Sequence, residues 1–494
     1  MKIHSTRILF YLLFIFSGAI NAQFQIEGKL TNQTNQKIQL LGFEGVQAYI
    51  IDETEIDTHG NFTLNFSEAD YGMGYLTSKN NASQILVLAK ENTAIVGQSL
   101  DERESLAFTI GTANEIEFYE GGFSGLTAIP NSQNEFLSIS DRGPNLEFKA
   151  DSIETEIKVF PFPNYHPKIF RLQLNKNELQ IVDTISLKNF DGKPLVGLPA
   201  ANLTNQAKEI AWENTDGLTL QNSPNGIDAE AISIDANGDY WIVEEYQSSL
   251  WKIDPNTGIV LQKFTPQQSL VEMENTFILP EVFQFRKPNR GFESVSTTSD
   301  EKIWSILQSP AWYPSKEAVK DSRLIRMLQL NPETQESLTF LYEHDQEEGI
   351  RQKDWKIGDM TAISNTEFVT IEHASYQNKR FMRIYKVDVS DATEIKADQK
   401  FNNKTPEELL TAVEAEKNGL KVVQKTLIMD LVDNGFDPRH GKPEGITMLN
   451  DTTMVIVNDN DYAIEFNEDK SAYINNKVKS CLYLYTLPKS IQAY

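Results

Sequence analysis

The sequence predicts an all-β protein: a β-propeller with five visible four-stranded repeats, six blades being possible, preceded by a small β-sandwich. Three observations carry this. One hairpin pattern recurs five times along the chain, a second strand pair follows each copy, and a block of short alternating strands precedes the first copy. Four strands per repeat is the signature of a propeller blade.

Met1 to Ala22 reads as a secretory signal, with Lys2 and Arg7 as the positive start, Ile8 to Phe16 as the apolar core and small residues up to Ala22. Ile20 fits the usual cleavage pattern poorly. The apolar run is too short for a membrane span, and no other stretch is long enough. The single cysteine, Cys481, lies far from the signal, so the chain offers neither a lipid-accepting cysteine there nor an intrachain disulfide. The expectation is an exported protein, periplasmic or secreted, and not a lipoprotein.

Residues 23–111 form the expected β-sandwich module. FQIEGKL, KIQLLG, AYIIDETEID and GNFTLNF alternate apolar and polar residues, with His59-Gly60-Asn61 as the clearest turn. The module shows no catalytic constellation, and a protein partner could dock on it. Residues 113–488 carry the propeller.

The clearest hairpin is NGIDAEAISIDANGDYWIVEEY from Asn225. Ala229 to Ile234 alternates, Asp235-Ala236-Asn237-Gly238 turns, and Tyr240 to Val243 is aromatic and β-branched. The other copies begin at Gly122, Gly291, Ile357 and Lys442. The last copy has no obvious fourth strand, and EIEFYE from Glu115 is a candidate to complete it. A sixth blade could hide in Asn189 to Ser223 or Gln267 to Asn289. Thr405-Pro406-Glu407-Glu408 is a helix start with a capping-box acid, and Gly419 ends that insertion.

Of the 494 residues, 40% are hydrophobic and 23% charged, and the formal net charge is -25. That balance excludes disorder, makes nucleic acid an unfavourable partner and suits divalent cations. Aligned, the copies open their first strands with Ser124, Glu230, Glu293, Asp359 and Glu444. Their second strands close with Asp141, Glu245, Gln308, Glu372 and Asp459. In a propeller these ends meet at one mouth, where unpaired carboxylates repel unless a cation or interleaved bases relieve them. Oxygen ligands at flexible spacing suit Ca2+, and no His or Cys cluster offers a zinc site. Arg142, Arg290, Arg323, His373 and Lys442 are the nearby bases. The plainer reading is that such acids cap turns or pair with a neighbouring blade. His166, His344 and His440 read as surface residues.

At ISDRGPN, DAEAISID, EEY, PNRGFESVS, GDMTAI, IEHA, KPEGITML and VNDND the chain resembles the phytase-like propeller family, labelled as having the esterase-like activity of phytase. The resemblance covers about residues 113–488. It implies an exported, metal-dependent hydrolase of phosphate esters. The family's site falls on Asp141, Arg142, Glu230, Glu245, Arg290, Glu293, Asp359, Glu372, Glu444 and Asp459. Gln308, His373 and Lys442-Pro443 depart from the family pattern.

On this reading Asp141, Glu230, Glu245, Glu293, Asp359, Glu444 and Asp459 are the metal-ligand candidates, for Ca2+ or another divalent cation. Arg142, Arg290 and Lys442 would clamp a small anionic substrate, and Glu372 or His373 would carry the proton. The alternatives are a non-catalytic binding propeller with a structural cation, and a lactonase or carboxylic esterase on the same scaffold.

Overall fold

A computed structural model of the chain shows every one of the five copies as an antiparallel hairpin, because period-two alternation gives each strand one face to bury. The structure describes residues 24–29, 35–44, 47–59, 61–70, 72–78, 83–88, 109–113, 116–149, 153, 157–175, 178–201, 209–270, 274–377, 379–467 and 472–494. The expected signal at Met1 to Ala22 lies outside them.

Two compact units separate, residues 1–102 with 176–178, and residues 103–175 with 179–494. In the first, Phe24–Lys29 pairs with Asn61–Phe66. A second sheet orders Gln47–Glu55, Lys37–Glu44, Gly72–Ser78 and Ser83–Leu88. Ile26, Leu64 and Phe66 of one sheet share a buried cluster with Ile38, Leu40 and Leu76 of the other.

Among the described residues, the five hairpin copies of the second unit each open one larger sheet, in chain order. Sheet I consists of Phe123–Ala128, Glu135–Ser140, Lys168–Asn175 and Glu178–Ser186. Sheet II has Ala229–Ile234, Tyr240–Glu244, Ser249–Ile253 and Val260–Thr265, with Thr276–Ile278 added in parallel. Sheet III has Phe292–Thr297, Ile303–Leu307, Leu324–Leu330 and Ser337–Glu343. Sheet IV has Trp355–Ala362, Glu367–Tyr376, Lys379–Asp388 and Gln424–Asp430. Sheet V has Lys442–Asn450, Thr453–Asp459 and Leu482–Thr486.

The first strands pack on one another in a closed cycle, I on II, II on III, III on IV, IV on V, and V back on I. Apolar clusters fill the seams. Phe123, Leu126 and Phe170 meet Val455, Val457 and Leu482 where the cycle closes.

EIEFYE does not close it. Ile116–Tyr119 pairs with Thr109–Ala113, and Phe118 is buried with Ile157, Val159, Trp212 and Ile464. The contact of the first strands of sheets V and I closes the cycle instead, reinforced by Asn460 Oδ1, which accepts from the Gly122 amide at 3.0 Å. Neither long segment forms a further four-stranded sheet among the described residues. The first contributes Ile210–Trp212 to a small sheet with Leu146–Phe148 and Ile157–Val159, and the second the parallel strand Thr276–Ile278 of sheet II and a short 3-10 turn at Glu281–Phe285. The insertion at Thr405 starts with the expected capping box but breaks at Leu410, whose φ is 64°. Thr411 then caps a separate helix, Ala412–Lys417.

Glycine sets how closely the first strands approach. A Cβ on Gly125 would lie 2.6 Å from the Ala231 Cα, and one on Gly445 would lie 2.7 Å from the Gly125 carbonyl carbon. Gly125→Ala or Gly445→Ala is therefore expected to cost about 1–3 kcal/mol through overpacking. Chemical denaturation should show a lower midpoint with an unchanged slope.

Candidate active site

Each first strand carries a β-bulge at the same place. Pairing skips one residue after Phe123, Ala229, Phe292 and Pro443, leaving Ser124, Glu230, Glu293 and Glu444 as the extra residues. In sheet IV Glu372 faces Ile357 and Thr370 faces Met360, so the residue in the same frame is Gly358. Bulges re-aim side chains at sheet rims. Two residues earlier the first strand meets the end of the second. The pairs are Gly122 with Asp141, Asp228 with Glu245, Gly291 with Gln308, Lys356 with His373, and Lys442 with Asp459. These two positions and the bulge build one mouth.

Sheet II supplies only acids to it. Asp228, Glu230 and Glu245 each offer a carboxylate oxygen, and these oxygens lie within 4.8 Å of one another. Asp228 and Glu245 are buried and Glu230 half-buried. Asp228 Oδ2 makes no hydrogen bond, although Arg142 NH1 stands 3.3 Å away. Glu245 Oε1 accepts from the Gly291 amide at 3.3 Å. In sheet III, Glu293 Oε1 accepts from Gln308 Nε2 at 2.5 Å, while Oε2 is buried without a partner. Burial, then neighbouring carboxylate charge, pushes Glu230 and Glu293 well above the usual carboxylate range. Burial does the same to Asp228 despite Arg142. Crowded carboxylates with unpartnered buried oxygens fit a hard divalent cation.

Sheet IV supplies the opposite chemistry. Lys356, Gly358 and His373 occupy the three positions, and none is an acid. His373 is buried, its Nε2 lacks a hydrogen bond, and Glu444 Oε1 lies 3.9 Å away. Burial and the Lys356 charge hold the ring neutral, well below the usual histidine value. The Lys356 amine has no hydrogen-bond or ion-pair partner among the described residues, and burial lowers it to about 8. In sheet V, Lys442 bridges Asp459 at 2.8 Å, Asp461 at 3.4 Å and Glu444 at 3.6 Å.

The frame of sheet IV corrects two sequence expectations. Asp359 is one residue past the bulge, where the other sheets carry Gly125, Ala231, Ser294 and Gly445. Its carboxylate accepts from the amides of Met360 at 2.8 Å and of Leu126 and Ile446 at 3.2 Å, so it bolts three first strands together. Glu372 lies on the opposite pleat from His373. It accepts from Tyr342 OH at 2.6 Å and Lys425 Nζ at 2.8 Å, away from the mouth. Two clamp candidates are also committed elsewhere. Arg142 donates to Glu209 at 2.9 Å, Asn289 at 2.5 Å and Tyr246 at 3.3 Å, and Lys442 is neutralised by its acids. Among the described residues, Arg290 donates only to the carbonyls of Trp355 and Lys353, at 3.2 and 3.3 Å. His344 is buried against Trp355, not on the surface.

The family described as phytase-like, esterase-like activity of phytase, matches residues 119–462, a span that includes all five first strands. The chain belongs to that family. The search of curated proteins found no match. Solved structures similar to this phytase-like chain include a protein from Lactobacillus plantarum, 10% identical, covering 92% of this chain and 98% of that one at a TM-score of 0.29. PorZ of Porphyromonas gingivalis, a surface component of a type-IX secretion system, is 8% identical, with 89% and 46% covered and a TM-score of 0.31. Virginiamycin B lyase from Staphylococcus aureus is 9% identical, with 88% and 95% covered and a TM-score of 0.26. Scores this low carry nothing about this chain's activity.

The mouth of this phytase-like chain includes two residues that sequence alignment passed over, Asp228 and Lys356. Both stand two residues before a bulge, as Lys442 does, and in sheet IV only the corrected frame reveals the match. Arg142's partners Glu209 and Asn289 left no signal, since both come from irregular segments.

The buried acids make a pH prediction. Burial raises Asp141 and Glu444 to about 7 and Asp459 to about 6. An acid with a raised folded pKa gives stability that is complete below its unfolded pKa and lost as pH rises through the folded one. His373 and His344 act in the opposite direction, but only below the ordinary histidine value of 6.5. Metal-free protein is therefore expected to lose stability as pH rises from 6.5 through about 7. Denaturant midpoints across that range check it, and a rise there would contradict the assignment.

Proposed function

We propose that this chain is an exported ester hydrolase acting on phosphate esters, with Ca2+ held in the mouth of a five-bladed propeller over residues 113–488 and a separate β-sandwich over residues 23–111. The observation that carries it is the acid triad of Asp228, Glu230 and Glu245, whose carboxylate oxygens lie within 4.8 Å of one another. Glu293 extends the ligand set. A bound cation would supply Lewis acidity toward an ester oxygen and acidify bound water.

The chain's own groups do the rest. Arg290, paired only to carbonyls, keeps its charge for a substrate anion. Glu444, at about 7 through burial and beside His373, is placed to hold or release a proton near neutral pH. Export is read from the signal-like start, and no described helix is long and apolar enough to cross a membrane.

One observation favours a non-catalytic binding propeller. Glu372, the acid expected to carry a proton, is turned away from the mouth. A panel of phosphate monoesters, carboxylic esters and lactones, assayed with Ca2+ and after chelation, separates the readings. Phosphate ester turnover that chelation abolishes is the expected result. Turnover of only carboxylic esters or lactones would move the chain to that class. No turnover at all, with or without Ca2+, would favour the binding propeller.

A further inference from the structure

The mouth is polarised across its width. Sheet II fills its three positions with Asp228, Glu230 and Glu245, whereas sheet IV fills the same three with Lys356, Gly358 and His373. Sheets II and IV do not adjoin in the cycle, and sheet III stands between them. An acid wall thus faces a basic or neutral one.

Three features of the basic wall point to a ligand. The Lys356 amine has no hydrogen-bond or ion-pair partner among the described residues, although Glu444 and Glu293 lie within its electrostatic reach. Arg290, from the loop before sheet III, donates to two carbonyls and makes no ion pair among the described residues, although Glu245 and Glu293 lie within its electrostatic reach. His373 is 3% exposed, yet its Nε2 has no hydrogen bond. Buried polar groups are nearly always satisfied, so the unpartnered, buried Nε2 of His373, beside the half-buried cations of Lys356 and Arg290, implies a partner that comes from outside.

We propose that Lys356, with Arg290 and His373, forms an oxyanion-binding subsite that receives the anionic group of the substrate opposite the acid triad. Phosphate and carboxylate share this chemistry. An amine and a guanidinium supply the charge, and a neutral imidazole supplies one further hydrogen bond. The proposal rests on the mouth being the substrate site, but on neither the metal nor hydrolysis.

The test is calorimetric binding of inorganic phosphate and of acetate to the full chain, each with and without Ca2+, for wild type, Lys356→Gln and Lys356→Arg. Wild type should bind phosphate, Lys356→Gln should weaken it roughly 10- to 100-fold, and Lys356→Arg should restore most of the loss. Calcium binding by Lys356→Gln should hold or tighten. Acetate bound as well as phosphate would assign a carboxylate substrate.

Equal phosphate affinity in wild type and Lys356→Gln overturns the proposal. So does a wild type that binds neither anion, or a Lys356→Gln that loses Ca2+ binding along with phosphate. Phosphate binding that depends on Lys356 but is indifferent to Ca2+ would keep the subsite and remove the metal from the reading above. Lys356→Met, which keeps the apolar stem, takes the same measurement if the glutamine variant fails to fold.

Discussion

Replacing Arg142 by methionine is expected to destabilise the chain by about 3–5 kcal/mol, the range for breaking a buried ion pair by removing one partner. Arg142 is 5% exposed and is the junction of three segments. Its guanidinium bonds Glu209, Asn289 and Tyr246 and faces Asp228 at 3.3 Å, and its amide donates to Asp228 Oδ1 at 3.2 Å. Its charge lies well above the ordinary arginine range despite burial, because Asp228 and Glu209 flank it. Methionine fills much of the volume but leaves two buried acids without their cation. Denaturant unfolding measures the loss. Adding Asp228→Asn should recover part of it, since residues in one network do not add independently. A loss under about 1 kcal/mol would mean that the guanidinium is not the tie between these acids.

The second large effect changes sign with the metal. Glu230 is the bulge residue of sheet II, surrounded by Asp228, Glu293 and Glu245, with no ion-pair partner among the described residues. Glu230→Gln removes one repelling charge at constant size. In metal-free protein near pH 8 it should raise stability, because burial and the neighbouring carboxylates disfavour the ionised glutamate. At saturating Ca2+ the same variant should fall below wild type. It forfeits a ligand, and a cation at a hundred times its Kd contributes about 2.7 kcal/mol to the folded state. Melting curves in chelator and in Ca2+ measure both signs. A variant less stable than wild type in both media would make Glu230 a structural residue.

The strands and the acids of the mouth were legible in the sequence for separate reasons. Alternation and Asn, Asp or Gly turns mark each hairpin, as at Ala229 to Glu244, and the structure pairs those residues in that register. Ser124, Glu230, Glu293 and Glu444 could be aligned because each follows its strand's entry at one spacing. Sheet IV broke the alignment. GDM offers an acid next to the true bulge glycine, and a shift of one residue sends a strand side chain to the other face. Asp359 and Glu372 therefore read as mouth residues, while Gly358 and His373 hold those positions and Lys356 pairs with His373. The ring closure was misread because Ile116–Tyr119 alternates like a strand, and alternation does not name a partner. Ion pairing from distant loops, such as Glu209 on Arg142, has no local signal at all.

The proposed function stands on a divalent cation held by Asp228, Glu230 and Glu245. The most direct measurement is a Ca2+ titration of metal-stripped wild type, followed by melting temperature and by the metal retained after gel filtration. The melting temperature is expected to climb with Ca2+ and saturate, with metal retained, and both are expected to be lost in Asp228→Asn and Glu245→Gln. No rise with Ca2+ or any other divalent ion, in a wild type that retains no metal, would contradict it.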